Sequence, residues 1–209
     1  MNEDGLRRQL AEVGRLSYDR RLTFGAGGNL SVRLGGTSAL ITPSGTIKGL
    51  LSPDQMIRVD IGTGKAEGGR KPSMETPFHT ALYRARKDIG AVVHLHPPSC
   101  TALAVMSRPL RPAITPEGVL VLGGFVPTIR YATPGSEELA QVIVDGLGGS
   151  NVALLQSHGA LAVGRDIMEA FGRMETLEYI ATLQLRCEGM GDLEDLPDEE
   201  VDRMLSKSK

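Results

Sequence analysis

The chain has 209 residues, a formal net charge of −2 at pH 7 and a sequence pI near 6.1. Hydrophobic residues make up 41% and charged residues 23% of the chain, which is typical of a globular protein and excludes disordered and fibrous classes. The balanced charge predicts no nucleic-acid partner, and no apolar segment is long enough to predict a membrane span. The length predicts a single domain over residues 1–209.

The cellular compartment is predicted from the first segment and from the cysteines. Residues 1–21 are charged throughout and lack the apolar stretch of a secretory signal. Cys100 and Cys187 lie far apart and form no CxxC pattern, which favours two free thiols over a disulfide. Both features predict a cytoplasmic protein.

The first half of the chain alternates between helical and extended patterns. Leu6, Leu10, Val13 and Leu16 recur at helical spacing and predict an amphipathic helix over the first twenty or so residues. A glycine-rich loop, FGAGGN, follows. The segments LSVRLGG and SALITPSG predict a hairpin, and MIRVDIGTGKAEGG repeats the alternating pattern.

The middle of the chain predicts a helix, a buried strand and a second helix. The helix begins near Glu75, with Ser73 as its expected cap. An apolar run over residues 90–93 predicts a strand that ends at His94. A short helix is expected near residues 101–106.

The second half predicts strands near residues 118–122 and 126–131, then a helix opened by Ser136. Residues 152–163 predict a strand, a turn and a strand, before a long helix that begins near residue 167. Several strand pairs are joined by turns too short for a crossover. The sequence therefore predicts an α/β protein with a mixed sheet.

Two of the four histidines are spaced to bind one metal ion. His94 and His96 come at the end of a predicted strand, where a period of two points both side chains to the same face. Zinc at a catalytic site typically takes three protein ligands and keeps one open position. His158, at a glycine turn after another strand, is the expected third ligand, and His79 is its competitor. A hydrogen-bonded histidine pair without a metal is the alternative.

Glu75 and three loops are further candidates. A carboxylate beside a metal-bound carbonyl can move a proton at the adjacent carbon, although Glu75 would also be favourable merely as an acid at a helix N-terminus. Glycine- and serine-bearing loops at residues 28–29, 42–45 and 71–73 offer N–H groups and hydroxyls to a phosphate. Each loop alone is most often an ordinary turn.

Six segments in the same order carry a resemblance to a known family: GNLSVR, ITPSG, KPSMETPFH, VVHLHPP, YATPGSEELA and LLQSHGALAVG. This series resembles the class II aldolase/adducin family of sugar-phosphate enzymes. The resemblance implies a three-layer α/β/α fold around a central mixed, largely antiparallel sheet. It also implies a homotetramer with sites at the subunit interfaces.

The resemblance also implies a role for each matching residue. His94, His96 and His158 match zinc ligands, and Glu75 matches the acid/base that also binds the resting metal. The positions that match the phosphate-binding site of the family are Gly28, Asn29, Ser44, Gly45 and Ser73. Gly28 is expected to shape its loop.

The sequence departs from the fuculose-phosphate enzymes of the family in three places. Met74 stands where a second phosphate-binding serine is expected. No tyrosine occurs in RPAITPEGVLVLGG, where the family pattern implies a proton donor, and Glu117 is the candidate replacement. The C-terminal SKSK lacks an aromatic residue that would close over the substrate.

The implied function is a zinc-dependent aldolase, an aldehyde-lyase. It would split a fuculose-, deoxypentulose- or methylthiopentulose-type ketose 1-phosphate into dihydroxyacetone phosphate and an aldehyde. A decarboxylase, epimerase or dehydratase using the same metal site is the first alternative, and a non-catalytic adducin-like interaction module is a more remote one. Another divalent transition metal is compatible with the same imidazoles.

Overall fold

Seven strands form one sheet in the computed structural model, which describes residues 2–207. The strands are β1 (Asn29–Gly35), β2 (Ser38–Ile41), β3 (Ile57–Asp60), β4 (Ala91–Leu95), β5 (Thr128–Ile129), β6 (Val152–Leu155) and β7 (Gly159–Gly164). The helices are α1 (Glu3–Asp19), α2 (Thr76–Ala85), α3 (Pro98–Val105), α4 (Pro116–Leu122), α5 (Glu137–Leu147), α6 (Ile167–Glu188) and α7 (Asp198–Lys207). Met1 and the last two residues of the SKSK segment, which the sequence places in the single predicted domain, lie outside the described residues.

The strand order is β3-β2-β1-β4-β7-β6-β5. All neighbouring pairs are antiparallel except β5 and β6, which are parallel. The predicted mixed, largely antiparallel sheet is therefore confirmed. Strand β4 lies at the centre of the sheet, so the residues at its end meet loops from both sides.

Helices cover both faces of the sheet. One hydrophobic cluster packs α1, α3, α4 and α6 against one face, with Leu10, Leu103 and Met174 fully buried. The other cluster packs α2 and α5 against the opposite face, with Phe78 and Ile143 buried. The predicted three-layer α/β/α arrangement is confirmed. In the described part of the chain, no helix combines the length and apolar character needed to cross a bilayer.

The strand predicted near residues 118–122 is wrong, because this segment forms α4. The Thr115 hydroxyl caps that helix by accepting a hydrogen bond from the Gly118 N–H at 3.0 Å, and Pro116 occupies the first helical position. Threonine followed by proline and glutamate is a helix-start signal that outweighs a short apolar run. The strand predicted over 126–131 is confirmed only at Thr128–Ile129, where it pairs with β6 at the sheet edge.

Candidate metal and phosphate site

Three histidines meet at one edge of the sheet. His94 lies on β4 and is fully buried, and His96 follows directly after the strand. His158 lies in the turn between β6 and β7, and the antiparallel pairing of Leu95 with Ala160 brings that turn beside them. The nitrogen atoms that these histidines offer all lie within 4.8 Å of one another.

Glycine is required at two positions beside these histidines. Gly28 has φ +71°, and a Cβ added there would lie 2.7 Å from the His94 carbonyl oxygen. A Cβ added at Gly159 would lie 2.5 Å from the Leu95 carbonyl oxygen and 2.7 Å from the His96 ring. The loops on both sides of β4 approach it more closely than any other residue type allows.

The hydrogen bonds of His94 leave one ring nitrogen directed at the cluster. Its Nδ1–H donates to the Ala160 carbonyl at 2.9 Å, so Nε2 carries a lone pair. That atom lies 3.1 Å from His96 Nε2. Burial, followed by the neighbouring imidazoles, holds the pKa of His94 well below its usual value.

The other two imidazoles are also neutral near pH 7. Burial, with His158 nearby, lowers the pKa of His96 to about 4, and burial lowers the pKa of His158. Neutral imidazole is the form that binds a metal ion. All three histidines are therefore in the protonation state of ligands.

Glu75 closes the cluster from the other side. Its carboxylate is buried at the start of α2, with Oε2 at 3.3 Å from His94 Nε2 and Oε1 at 3.4 Å from His158 Nε2. Among the described residues, Oε1 has no hydrogen-bond partner. A buried carboxylate oxygen without a donor is costly, and a cation among the three imidazoles would satisfy it. The residues present fit a divalent transition metal ion.

A chain of buried hydrogen bonds runs from Glu75 away from the histidine cluster. The Asn29 amide donates to Glu75 Oε2 at 2.6 Å, and Asn29 Oδ1 lies 2.5 Å from His79 Nε2. His79 Nδ1 lies 2.7 Å from the Ser31 hydroxyl, which lies 2.8 Å from the Tyr83 hydroxyl. His79 therefore serves Asn29 and does not join the three clustered histidines.

The directions of these hydrogen bonds follow from their end at a carboxylate. A carboxylate only accepts, so Asn29 donates through its NH₂ group and accepts through Oδ1. His79 Nε2 must then carry the proton, and Nδ1 accepts from the Ser31 hydroxyl. Burial lowers the pKa of His79 to about 3, which keeps the ring neutral. The Tyr83 hydroxyl donates to Ser31, and burial raises the pKa of that phenol.

A cavity of about 420 Å³ opens beside the cluster. It brings together Glu75, two of the three histidines and all five positions expected to bind phosphate. Its lining consists of Ala26, Gly27, Gly28, Asn29, Pro43, Ser44, Gly45, Lys48, Ser73, Met74, Glu75, His96, Pro134 and His158. The Asn29 side chain is already bonded to Glu75 and His79, so phosphate contact by this side chain stays a prediction.

Two further candidate residues, Glu117 and Ser73, differ in position from what the sequence suggested. Glu117 is exposed in the first turn of α4 and does not line the cavity of its own chain. Ser73 is not the N-cap of α2, a position occupied by Glu75; the Ser73 hydroxyl instead accepts from the Glu75 N–H at 3.2 Å. Ser73 thereby helps to fix the backbone that carries the carboxylate.

The sequence analysis missed one charged residue of the cavity, Lys48. It lies on a short 3₁₀ turn, Lys48–Leu50, and is only 1% exposed. Burial lowers the pKa of its ammonium group to about 8. A single lysine between an isoleucine and a glycine carries no signal of burial, because lysine side chains are mostly exposed.

Comparison with known proteins assigns the family. Residues 8–185 match the model of the class II aldolase and adducin N-terminal domain. The chain belongs to that family. Among named relatives, it is 37% identical to a 5-methylthioribulose-1-phosphate/5-deoxyribulose-1-phosphate aldolase of Rhodospirillum rubrum, over 98% of this chain and 91% of the relative.

Two other relatives of this class II aldolase family member are named for different activities. A 3-oxo-tetronate 4-phosphate decarboxylase of Haemophilus influenzae is 34% identical, with 96% of each chain covered. A solved L-fuculose 1-phosphate aldolase structure superposes with a TM-score of 0.90 at 35% identity, over 97% of this chain and 95% of the other. The predicted family and the predicted lyase class are confirmed, while the relatives differ in substrate.

Proposed function

We propose that this class II aldolase cleaves a ketose 1-phosphate into dihydroxyacetone phosphate and an aldehyde. The observation that carries the proposal is the cavity, which joins the histidine cluster and Glu75 to the glycine and serine loops. A ligand with a phosphate at one end and adjacent oxygen atoms at the other matches this layout. The three named relatives act on phosphorylated compounds.

His94, His96 and His158 would hold the metal ion, and zinc is the ion that we propose. Three imidazoles with an open position suit zinc. When bound, the ion supplies a Lewis acid for the carbonyl of the substrate. The expected metal content is one zinc per chain in protein purified without added metal, measured by mass spectrometry.

Glu75 is the proposed acid/base. It is the one carboxylate among the described residues that line the cavity, and its Oε1 has no hydrogen-bond partner. Asn29 holds the other oxygen in place. Glu75 takes the proton from carbon in aldol addition and returns it after cleavage, in accordance with general acid–base catalysis.

The proposed substrates are deoxypentulose, methylthiopentulose and fuculose 1-phosphates. Met74 lines the cavity and is 62% exposed, which places an apolar thioether where the fuculose-type pattern implies a serine. That serine would bind the phosphate group, so this pocket has one hydroxyl donor fewer. All three sugar types carry this phosphate, so Met74 sets no preference among them, and their relative cleavage rates in the panel provide the ranking.

We further propose a cytoplasmic homotetramer with sites at the subunit interfaces. Phe24 is 71% exposed, although its ring centroid lies only 6.2 Å from that of His96. Leu120, on the same helix as the exposed Glu117, and Phe125, shortly after that helix, are also exposed. A neighbouring copy over these residues would bury them and bring a Glu117 carboxylate towards a cavity that it does not line in its own chain. Light scattering after gel filtration tests the assembly.

The test of function is dihydroxyacetone phosphate release from a panel of ketose 1-phosphates, with Glu75→Gln beside the wild type. We expect release by the wild type, and a rate on the order of 10² to 10⁴ lower for Glu75→Gln. Equal zinc content in both proteins would show that the loss reflects proton transfer. No release from any of the three sugar types would refute the proposal.

Decarboxylation is the second candidate. It is favoured by the absence of a tyrosine in residues 111–124 and by the identity to the Haemophilus influenzae decarboxylase. The same panel should therefore contain a 3-oxo-tetronate 4-phosphate. Carbon dioxide release from that compound, with no aldol cleavage of the ketose phosphates, would favour the decarboxylase.

A further inference from the structure

Lys48 joins two loops of the cavity. Its Nζ donates to the Thr46 carbonyl at 2.8 Å and to the Ala26 carbonyl at 3.1 Å. Thr46 follows the loop that contains Ser44 and Gly45, and Ala26 precedes Gly28 and Asn29. The ammonium group therefore lies between two segments that both present backbone and hydroxyl groups to the cavity.

The charge of Lys48 has no opposite charge beside it. Among the described residues, no carboxylate lies within salt-bridge distance of Nζ, and both hydrogen-bond partners are neutral carbonyls. An ammonium group has three N–H donors, of which two are used. Burying an unpaired charge is unfavourable, so buried lysines are normally paired with an anion.

The position of Lys48 indicates where that anion binds. Among the described residues that line the cavity, Lys48 is the one lysine or arginine. The other donors expected at this end, the Ser44 and Ser73 hydroxyls and the glycine N–H groups, are neutral. A phosphate dianion bound there would have one positive charge within the protein to balance it. Lys71 is close in sequence to Ser73, but its side chain is exposed and does not line the cavity.

We propose that Lys48 is the specificity residue for a phosphorylated substrate, as the counter-charge of its phosphate group. This inference rests on the proposed function, because it assumes that the cavity binds a sugar phosphate. The charge selects a dianion over a neutral sugar. The hydrogen bonds to Ala26 and Thr46 hold the two loops at a fixed separation before the ligand binds, which lowers the conformational cost of binding.

The test uses the metal-loaded full-length protein and inorganic phosphate, with calorimetry to measure the dissociation constant. Lys48→Met should weaken phosphate binding roughly 10- to 100-fold, the range expected when one charge-assisted hydrogen bond is lost. Lys48→Arg should keep most of the affinity because it keeps the charge. Lys65→Met is the matched control, since it removes an exposed lysine that does not line the cavity.

Enzyme kinetics provide a second readout with whichever phosphorylated substrate is turned over. Lys48→Met should raise KM by a similar factor and leave kcat within about threefold, which is the signature of binding energy expressed equally in ground and transition states. A structural role would lower the melting temperature and kcat together. A fall in kcat with unchanged KM and unchanged phosphate affinity would overturn the inference.

A measurement on the wild type covers the case in which Lys48→Met does not fold. In protein labelled with ¹³C-lysine, the Lys48 resonance is assigned by its disappearance in Lys48→Arg. It should shift on phosphate titration and saturate at the calorimetric dissociation constant. No shift, or equal affinity in wild type and Lys48→Met, overturns the role of Lys48. Phosphate binding through Lys48 without cleavage of any ketose phosphate refutes the proposed reaction alone.

Discussion

The chain of buried hydrogen bonds that ends at Glu75 predicts different losses of stability for two mutations that each remove one of its hydroxyl groups. In Ser31→Ala, the Tyr83 hydroxyl loses its acceptor and His79 Nδ1 loses its donor, and all these residues are almost fully buried. Each of these two unsatisfied groups costs about 1–3 kcal/mol, so the free energy of unfolding should fall by about 2–6 kcal/mol. Tyr83→Phe strands no donor and should cost about 1 kcal/mol.

The double mutant tests the direction of the chain. Adding Tyr83→Phe to Ser31→Ala removes the hydroxyl that the first mutation leaves without an acceptor. The double mutant should therefore be more stable than Ser31→Ala alone, although it lacks more polar atoms. Such a coupling between residues in contact is what a double-mutant cycle measures.

The assay is equilibrium urea unfolding of metal-loaded protein at pH 7, followed by circular dichroism. Ser17→Ala is the control, because Ser17 is fully buried but its hydroxyl only bonds to the Val13 carbonyl within α1. That control should lose no more than about 1 kcal/mol. If Ser31→Ala proves no less stable than Tyr83→Phe, or the double mutant loses the sum of both, the assigned hydrogen-bond directions are wrong.

Three further predictions concern the metal, a glycine and pH. Chelation of the metal should lower the melting temperature, and added zinc should restore it, since an ion that binds only the folded state stabilises that state; an unchanged melting temperature would contradict a metal site. Gly28→Ala should lower the metal affinity and reduce the free energy of unfolding by about 1–3 kcal/mol, because the added Cβ would clash with the His94 carbonyl at a positive φ. Gly69→Ala is the control, since a Cβ there has open space and should change neither quantity. His79 takes up a proton near pH 6.5 only when unfolded, since its folded pKa is about 3. Unfolding free energy should therefore fall by about 2 kcal/mol from pH 7 to pH 5, and His79→Gln should show a smaller fall in urea titrations at the two pH values.

The histidine cluster illustrates what local sequence spacing can predict. A period of two at a strand end is a local property, so the alignment of His94 and His96 was predictable from three residues. The choice of His158 over His79 depended on which strands become neighbours. The antiparallel pairing of β7 with β4 explains that choice. Short turns in the sequence favour such a pairing but do not determine it.

The partners of the buried polar residues were not predictable. His79 looks like any histidine on an amphipathic helix, and its partners Asn29 and Ser31 come from a strand about fifty residues earlier. The segment around Lys48 has the composition of an exposed turn, yet the Lys48 side chain is only 1% exposed. The misassigned strand near residues 118–122 has a different cause, since a short apolar run fits a buried helix as well as a strand.

The central position of β4 has a consequence for how the protein matures in the cell. The two histidines at the end of this strand are synthesised some sixty residues before His158, and the turn that carries His158 reaches them only when β7 pairs with β4. A chain still on the ribosome with β7 inside the exit tunnel therefore has no complete set of three imidazoles. Binding of a metal ion by all three histidines would therefore follow the emergence of β7 from the tunnel and its pairing with β4.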